Sequence, residues 1–299
     1  METLELEEQY FIPNPTYIYK IVPIYSKNLA IEIKDGNTKD GTNIQLGERK
    51  DVPYQYFKIL KNEQNNYILE PAHCTGSAID IKDGKMKSRT NIQLFQKNNT
   101  NSQNFQIIKC KDDVYSIISS IDKNYALDVH AKGNKKGSNI QLFKKNNSEA
   151  QQFLLIGRKN IFAAIDYALK YSTERNPEYK SCEINCTNFC SQCLIAGGIE
   201  PDNIWNKETE AFIEPMKLKN YFYDKGIEWI EYPNSREFNP GDIAYMINKE
   251  NRFDHPIFII NIEKDQIIFC GNSMDIKEGS LYYNSFGAVL QTSSLFKHD

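Results

Sequence analysis

Histidine is scarce in this chain: only His73, His130, His255 and His298 occur among 299 residues. Chemistry that needs an imidazole therefore has few places to be. A dominant charge is also lacking, since 36 Lys and Arg face 39 Asp and Glu for a formal net charge of −3. That balance gives no general pull toward nucleic acid, and the one basic stretch, Lys132 to Lys136, reads as a loop. No apolar run approaches the length needed to cross a bilayer as a helix. The first residues, Met1 to Glu8, are acidic and lack the basic–apolar plan of a signal peptide. The seven cysteines are an odd number, and Cys74, Cys110 and Cys270 stand alone. The length itself predicts two domains.

What is present is, first, a repeat. Asn43-Ile44-Gln45-Leu46 recurs as Asn91-Ile92-Gln93-Leu94 and as Asn139-Ile140-Gln141-Leu142, each time 48 residues on. Phe57, Phe105 and Phe153 keep the same offset, as do Gln55, Gln103 and Gln151, and as do Glu32, Asp80 and Asp128. Such a period signals one supersecondary unit used three times around a shared core. Short β-rich runs between turn signals predict about four strands per unit.

The pattern resembles the ricin-type β-trefoil lectins over nearly all of residues 17–157. The resemblance implies sugar binding by an early acidic residue and a later polar pair, with an aromatic ring covering the apolar face of the sugar. The second unit then offers Asp80, Gln93, Phe95 and Gln103, and the third Asp128, Gln141, Phe143 and Gln151. The first unit has Glu32 and Gln45, but Gly47 stands where the aromatic belongs, so its site is expected to be weak or lost. Each unit also departs from the family before its final Gln, at Tyr54, Ser102 and Ala150. The same residues have a purely architectural reading as the core and turn signature of the fold.

The second feature is an uncharged run, Thr187 to Ala196, preceded by Asn185-Cys186 and stopped by Gly197-Gly198. Phe189, Cys190, Cys193 and Leu194 fall at helical spacing on one side. Asn185 is a good N-cap residue, which puts Cys186 in the first turn. Unpaired N–H groups and the helix dipole there favour a thiolate and can hold an oxyanion. Cys190 and Cys193 are expected in the core. Cys182, Cys186, Cys190 and Cys193 can also be read as a metal cluster, but structural zinc sites more often pair a short Cys-x-x-Cys turn with a distant second pair, and no metal or other cofactor is expected.

A thiol nucleophile needs a base close in space. His298 lies beside the C-terminus, and His73 and His130 belong to the repeat. That leaves His255, which opens the apolar run Pro256 to Ile262 and reads as the start of a buried strand. If a hairpin folds about Lys264-Asp265, residue 257 faces 272 and residue 255 faces 274. Asn272 then lies diagonally across from His255 on the same face, where it can orient the imidazole; Asp275 is the reserve.

The run Cys186-Thr187-Asn188-Phe189, then Ser191-Gln192-Cys193 and Gly197-Gly198, is similar to the nucleophile segment of a bacterial papain-like amidase family related to cell-wall cysteine peptidases. The turn Pro240-Gly241-Asp242 and the strand opening at His255 extend the resemblance in order. Asn185 stands where that family often has Asp, and Cys270-Gly271-Asn272 where it often has His. The resemblance implies an α+β papain-like hydrolase over 158–299, after an all-β trefoil at 17–157 and an extension at 1–16.

The combined expectation is a glycan-targeted cysteine hydrolase using Cys186, His255 and Asn272 on an amide or peptide bond, with bacterial cell-wall peptide favoured. Its partners are then a carbohydrate and a peptide or protein. It is made without a visible signal peptide and acts outside the cell after release or export by another route. Two other classes stay open: a lectin-delivered toxin acting on a host protein, and a pure lectin with an inactive second domain.

Overall fold

The chain divides into two compact units, the first ending at Arg158 and the second beginning at Lys159. The computed structural model describes residues 10–180, 185–248, 250, 252–272 and 275–297.

Each repeat of the first unit supplies four strands. They are β1 (Tyr17–Pro23), β2 (Leu29–Ile33), β3 (Ile44–Glu48) and β4 (Phe57–Lys61) from the first repeat. The second supplies β5 (Tyr67–Pro71), β6 (Ser77–Ile81), β7 (Thr90–Gln96) and β8 (Phe105–Lys111). The third supplies β9 (Val114–Ser119), β10 (Tyr125–Val129), β11 (Ile140–Lys144) and β12 (Phe153–Lys159). The outer strands close a ring, β1–β4–β5–β8–β9–β12 and back to β1, and the inner pairs β2–β3, β6–β7 and β10–β11 form three hairpins. This is a trefoil-like arrangement. It forms because no single repeat has enough apolar surface to fold alone, whereas Ile44, Leu46, Phe57 and their equivalents in the other repeats pack, fully buried, into one core.

The repeated asparagines meet at the pseudo-threefold axis. Asn91 donates to Asn43, Asn43 to Asn139, and Asn139 to Asn91, each through Nδ2 to Oδ1 at 2.9 Å. The closed ring satisfies three side-chain amides with one another and fixes the mutual register of the three hairpins.

The second unit mixes helices with one sheet. α1 (Ile161–Tyr171) starts at Asn160, whose side chain accepts from Ala163 N. α2 (Cys186–Ala196) ends where Gly197 and the left-handed Gly198 (φ 89°) turn the chain back. α3 (Glu210–Ile213) and α4 (Pro215–Asp224) are separated at Glu214, held extended by the following proline. β13 (Trp229–Glu231), β14 (Ile243–Ile247), β15 (Phe253–Glu263), β16 (Gln266–Gly271), β17 (Ile276–Tyr282) and β18 (Ala288–Leu290) form a sheet in the order β13-β18-β14-β15-β16-β17. Side chains alternate across it. Ile243, Tyr245, Phe258 and Cys270 pack with α2 and Trp205, while Ala244, Ile257, Ile259 and Phe269 build a second apolar layer. No helix of the described residues is long and apolar enough to cross a membrane.

Candidate functional site

Cys186 is the first residue of α2 and is buried, 1% exposed. Asn185 precedes it as N-cap, yet its side chain does not cap the helix. It is turned sideways into a chain of buried amides. Asn185 Nδ2 donates to Asn272 Oδ1 at 2.5 Å, and Asn185 Oδ1 accepts from Asn188 Nδ2 at 2.8 Å. Asn188 Oδ1 in turn accepts from Gln192 Nε2 at 2.7 Å, and Gln192 Oε1 accepts from the Tyr167 hydroxyl at 2.6 Å. Asn176 Nδ2 closes the far end on that hydroxyl at 2.9 Å. The polar residues of an otherwise apolar helix therefore tie its first turn to α1 and to the end of β16. Ser191, one turn further, donates to Phe212 O and accepts from Trp205 Nε1.

Beneath this turn lies Tyr245, fully buried, its hydroxyl donating to Pro215 O at 3.2 Å. Burial, reinforced by the neighbouring Cys190 and Cys186 thiols, pushes its pKa well up. Cys190 and Cys193 are fully buried, and burial pushes both thiols well up, so they are inert core residues. Cys182 lies outside the described residues.

His255 lies on β15, opposite Met246 of β14. The next pair is Ile247 with Phe253, so Asp254 is an extra residue, a β-bulge immediately before the histidine. Bulges of this kind re-aim a neighbouring side chain. Nε2 of His255 is buried without a hydrogen-bond partner among the described residues. Burial lowers the imidazole pKa, opposed by the Asp254 carboxylate. His255 Nε2 makes no hydrogen bond to Cys186 among the described residues.

Among the described residues Asn272 makes no hydrogen bond to His255. Its Nδ2 donates to Tyr171 O at 2.5 Å, with Ser172 O and Glu174 O at 3.3 and 3.4 Å, and its Oδ1 faces Asn185. It gathers the carbonyls at the end of α1 and holds the N-cap of α2. The physical reason is a second bulge: Phe258 pairs with Cys270 and Ile259 with Phe269, but Asn261 with Ile268. The extra residue, Ile260, shifts the His255 half of the hairpin by one position and breaks the expected diagonal. Asp275 is exposed at φ 49°, just ahead of β17.

In the first unit, each acidic residue is clasped by two glutamines. Gln93 Nε2 donates to Asp80 at 3.1 Å, and Gln141 and Gln151 Nε2 donate to Asp128 at 2.8 and 3.2 Å. Burial nevertheless raises both Asp pKa values against those hydrogen bonds. Gln103 and Gln151 are 1% exposed, and each also bonds a strand carbonyl and a backbone N–H. They hold the acids in place, their side-chain amides already engaged by these partners. Phe95 and Phe143 are half-buried, presenting ring surface. Around Asp128, Gln141 and Phe143 the chain forms a cleft of about 300 Å³.

The first repeat is filled by its own side chains. A Cβ at Gly47 would lie 1.8 Å from Glu32 Oε2, and one at Gly36 would lie 2.9 Å from the Tyr54 ring. Glu32, one methylene longer than Asp, places its carboxylate where the wall of the site would stand, and Gln45 and Gln55 hold it there.

Residues 158–284 match the family described as "Putative amidase domain". The chain is also 32% identical over 114 residues to YhbB of Bacillus subtilis (strain 168), a protein described as uncharacterized; the match covers 34% of this chain and 37% of that relative. The N-terminal half is similar in structure to the designed threefold-symmetric protein ThreeFoil (TM-score 0.44, 21% identity, 46% of this chain and 96% of that one). It is likewise similar to the Macrolepiota procera ricin B-like lectin, solved in complex with lactose (TM-score 0.40, 16% identity, 48% and 98% of the two chains).

Within the second unit, sequence reasoning found the helix but missed the amide chain. The signal was present: Asn188 and Gln192 sit four apart, on one face of a helix that carries no charge.

Proposed function

We propose that the second unit is a papain-like cysteine amidase or peptidase, that the trefoil anchors it on carbohydrate, and that its substrate is bacterial cell-wall peptide. Cys186 attacks the carbonyl carbon through Sγ, and His255 takes the thiol proton. Backbone N–H groups of the first turn of α2 face the oxyanion. Collapse breaks the C–N bond, His255 returns the proton to the leaving amine, and water then hydrolyses the thioester. Asn272 is a positioning residue that acts on Cys186 through Asn185. Action on wall polymer requires the protein outside the cell, by release or export. The observation that carries this reading is Cys186 at the first position of a buried helix whose N-cap is held by side-chain amides rather than used as a cap.

The test is release of new amino groups from purified bacterial cell walls by the parent protein, Cys186→Ala and His255→Ala. Activity in the parent and loss in both variants is expected. Equal release by parent and Cys186→Ala overturns the assignment. Release from a host protein but not from walls redirects it to a toxin. No cleavage, together with glycan binding, leaves a lectin.

A further inference from the structure

The three repeats are not equivalent in charge around the place where the third forms its cleft, and the backbone shows where the difference lies. In each repeat, the turn before the third strand donates its N–H to the next repeat around the axis: Gly41 to Leu94 O, Arg89 to Leu142 O, and Gly137 to Leu46 O. All three positions are left-handed, at φ 81°, 74° and 86°. Glycine is the residue suited to that region, and a long side chain there is uncommon. Only the middle position carries one, and it hangs over the third repeat.

A second position repeats the pattern. Gly36, Gly84 and Lys132 are equivalent and left-handed, at φ 64°, 61° and 50°. A Cβ at Gly36 meets Tyr54, and one at Gly84 meets Ser102 Oγ at 3.2 Å. The third repeat has Ala150 at that place, which leaves room for the lysine. Arg89 and Lys132 therefore both stand on glycine-type backbone, and both line the same cleft with Asp128, Gln141 and Phe143. The corresponding residues are Gly41 and Gly84 around the second repeat, and Gly137 and Gly36 around the first.

Non-glycine residues in such conformations cluster at functional sites, and these two stand beside one cleft. Lys132 is paired with Glu149. Arg89 is exposed, and among the described residues its guanidinium has no acidic partner. The Asp128 carboxylate is buried and already clasped by its two glutamines, with His130 Nδ1 3.1 Å from Gln141 Oε1 on the cleft side. The rim thus offers one free, planar, bidentate cation beside a buried acid and an aromatic face.

We propose that the third repeat's cleft selects a glycan bearing an acidic group, carboxylate or sulfate, with Arg89 as the anion contact and Lys132 beside it. This rests on the reading of the trefoil as a carbohydrate anchor. The test is a glycan array of neutral glycans with their sialylated, uronic-acid and sulfated counterparts, probed with the full chain, Arg89→Gly, Lys132→Gly and Phe143→Ala. Arg89→Gly restores the residue the other repeats use, so it is expected to fold with a melting temperature no lower than the parent's.

The parent is expected to prefer acidic glycans. Arg89→Gly should lose about tenfold or more on them while keeping neutral binding, with a smaller loss in Lys132→Gly. The carboxylated and sulfated spots tell which anion is read. An unchanged acidic preference in Arg89→Gly overturns the proposal, as does a parent preference for neutral glycans. Binding that survives Phe143→Ala intact also overturns it, by assigning recognition to another repeat. No binding to any glycan rejects the anchor reading itself, and this inference with it.

Discussion

Asn185 and Asn272 form a matched pair whose polarity is dictated from outside. Three carbonyls at the end of α1 require Asn272 to present its Nδ2 to them, which leaves its Oδ1 toward residue 185. Residue 185 must then donate to Asn272 while accepting from Asn188, and an amide does both. Asn185→Asp is therefore expected to set two acceptors against each other and cost about 1–3 kcal/mol, read as a lower midpoint in urea unfolding. Asn272→Asp sets a carboxylate against the three carbonyls and should destabilise more. His255 supports a pH prediction. Burial holds its folded pKa below the ordinary imidazole value of about 6.5. The base is active when neutral, so the acid limb of kcat/KM should have its midpoint below that value. Removing the opposing carboxylate by Asp254→Asn should move the midpoint lower still; a limb at or above 6.5 contradicts the assignment.

Among the elements, the turn leading into β14 carries the clearest titration. Asp242 accepts from Ser293 N and Asn239 N, both at 2.8 Å, while Thr292 Oγ1 donates to Gly241 O. Burial outweighs those hydrogen bonds and pushes its carboxyl up to about 6. The unfolded chain releases the same proton near 3.9, so between those values the folded state binds more protons. Stability should rise as pH falls from about 6 to about 4 and be flat above that window; denaturant unfolding of the parent against Asp242→Asn checks the slope. In the first repeat, Gly47→Phe alone should destabilise and create no sugar site, because Glu32 occupies the space. Pairing it with Glu32→Asp should restore stability, seen in thermal melts. The hairpin of β15 and β16 was legible in outline, with Glu263 opposite Gln266 across the expected turn. Its bulge at Ile260 was not, because an extra residue leaves no mark in an unbroken apolar run.

At the scale of the whole molecule, legibility followed repetition. The trefoil could be read because each structural demand is written three times, at Ile44, Gln45 and Phe57 and at both sets of equivalents. The helix of Cys186 could be read because its stop and its apolar spacing are local. The amide chain around it could not, because it joins residues 87 and 101 positions apart in sequence. If the trefoil serves as an anchor, Phe95→Ala with Phe143→Ala should slow cleavage of insoluble wall and leave cleavage of a small soluble peptide unchanged, since only local concentration is lost. The ring of Asn43, Asn91 and Asn139 carries a consequence for descent. Its hydrogen bonds run in one rotational sense, so each copy depends on the next for an acceptor and on the previous one for a donor. Losing any one asparagine strands a donor on one sister copy and an acceptor on the other. Three duplicated segments tied in this way are free to diverge at their rims, where one has filled its own cleft and another has acquired cations, while drift at the axis is closed to each of them separately.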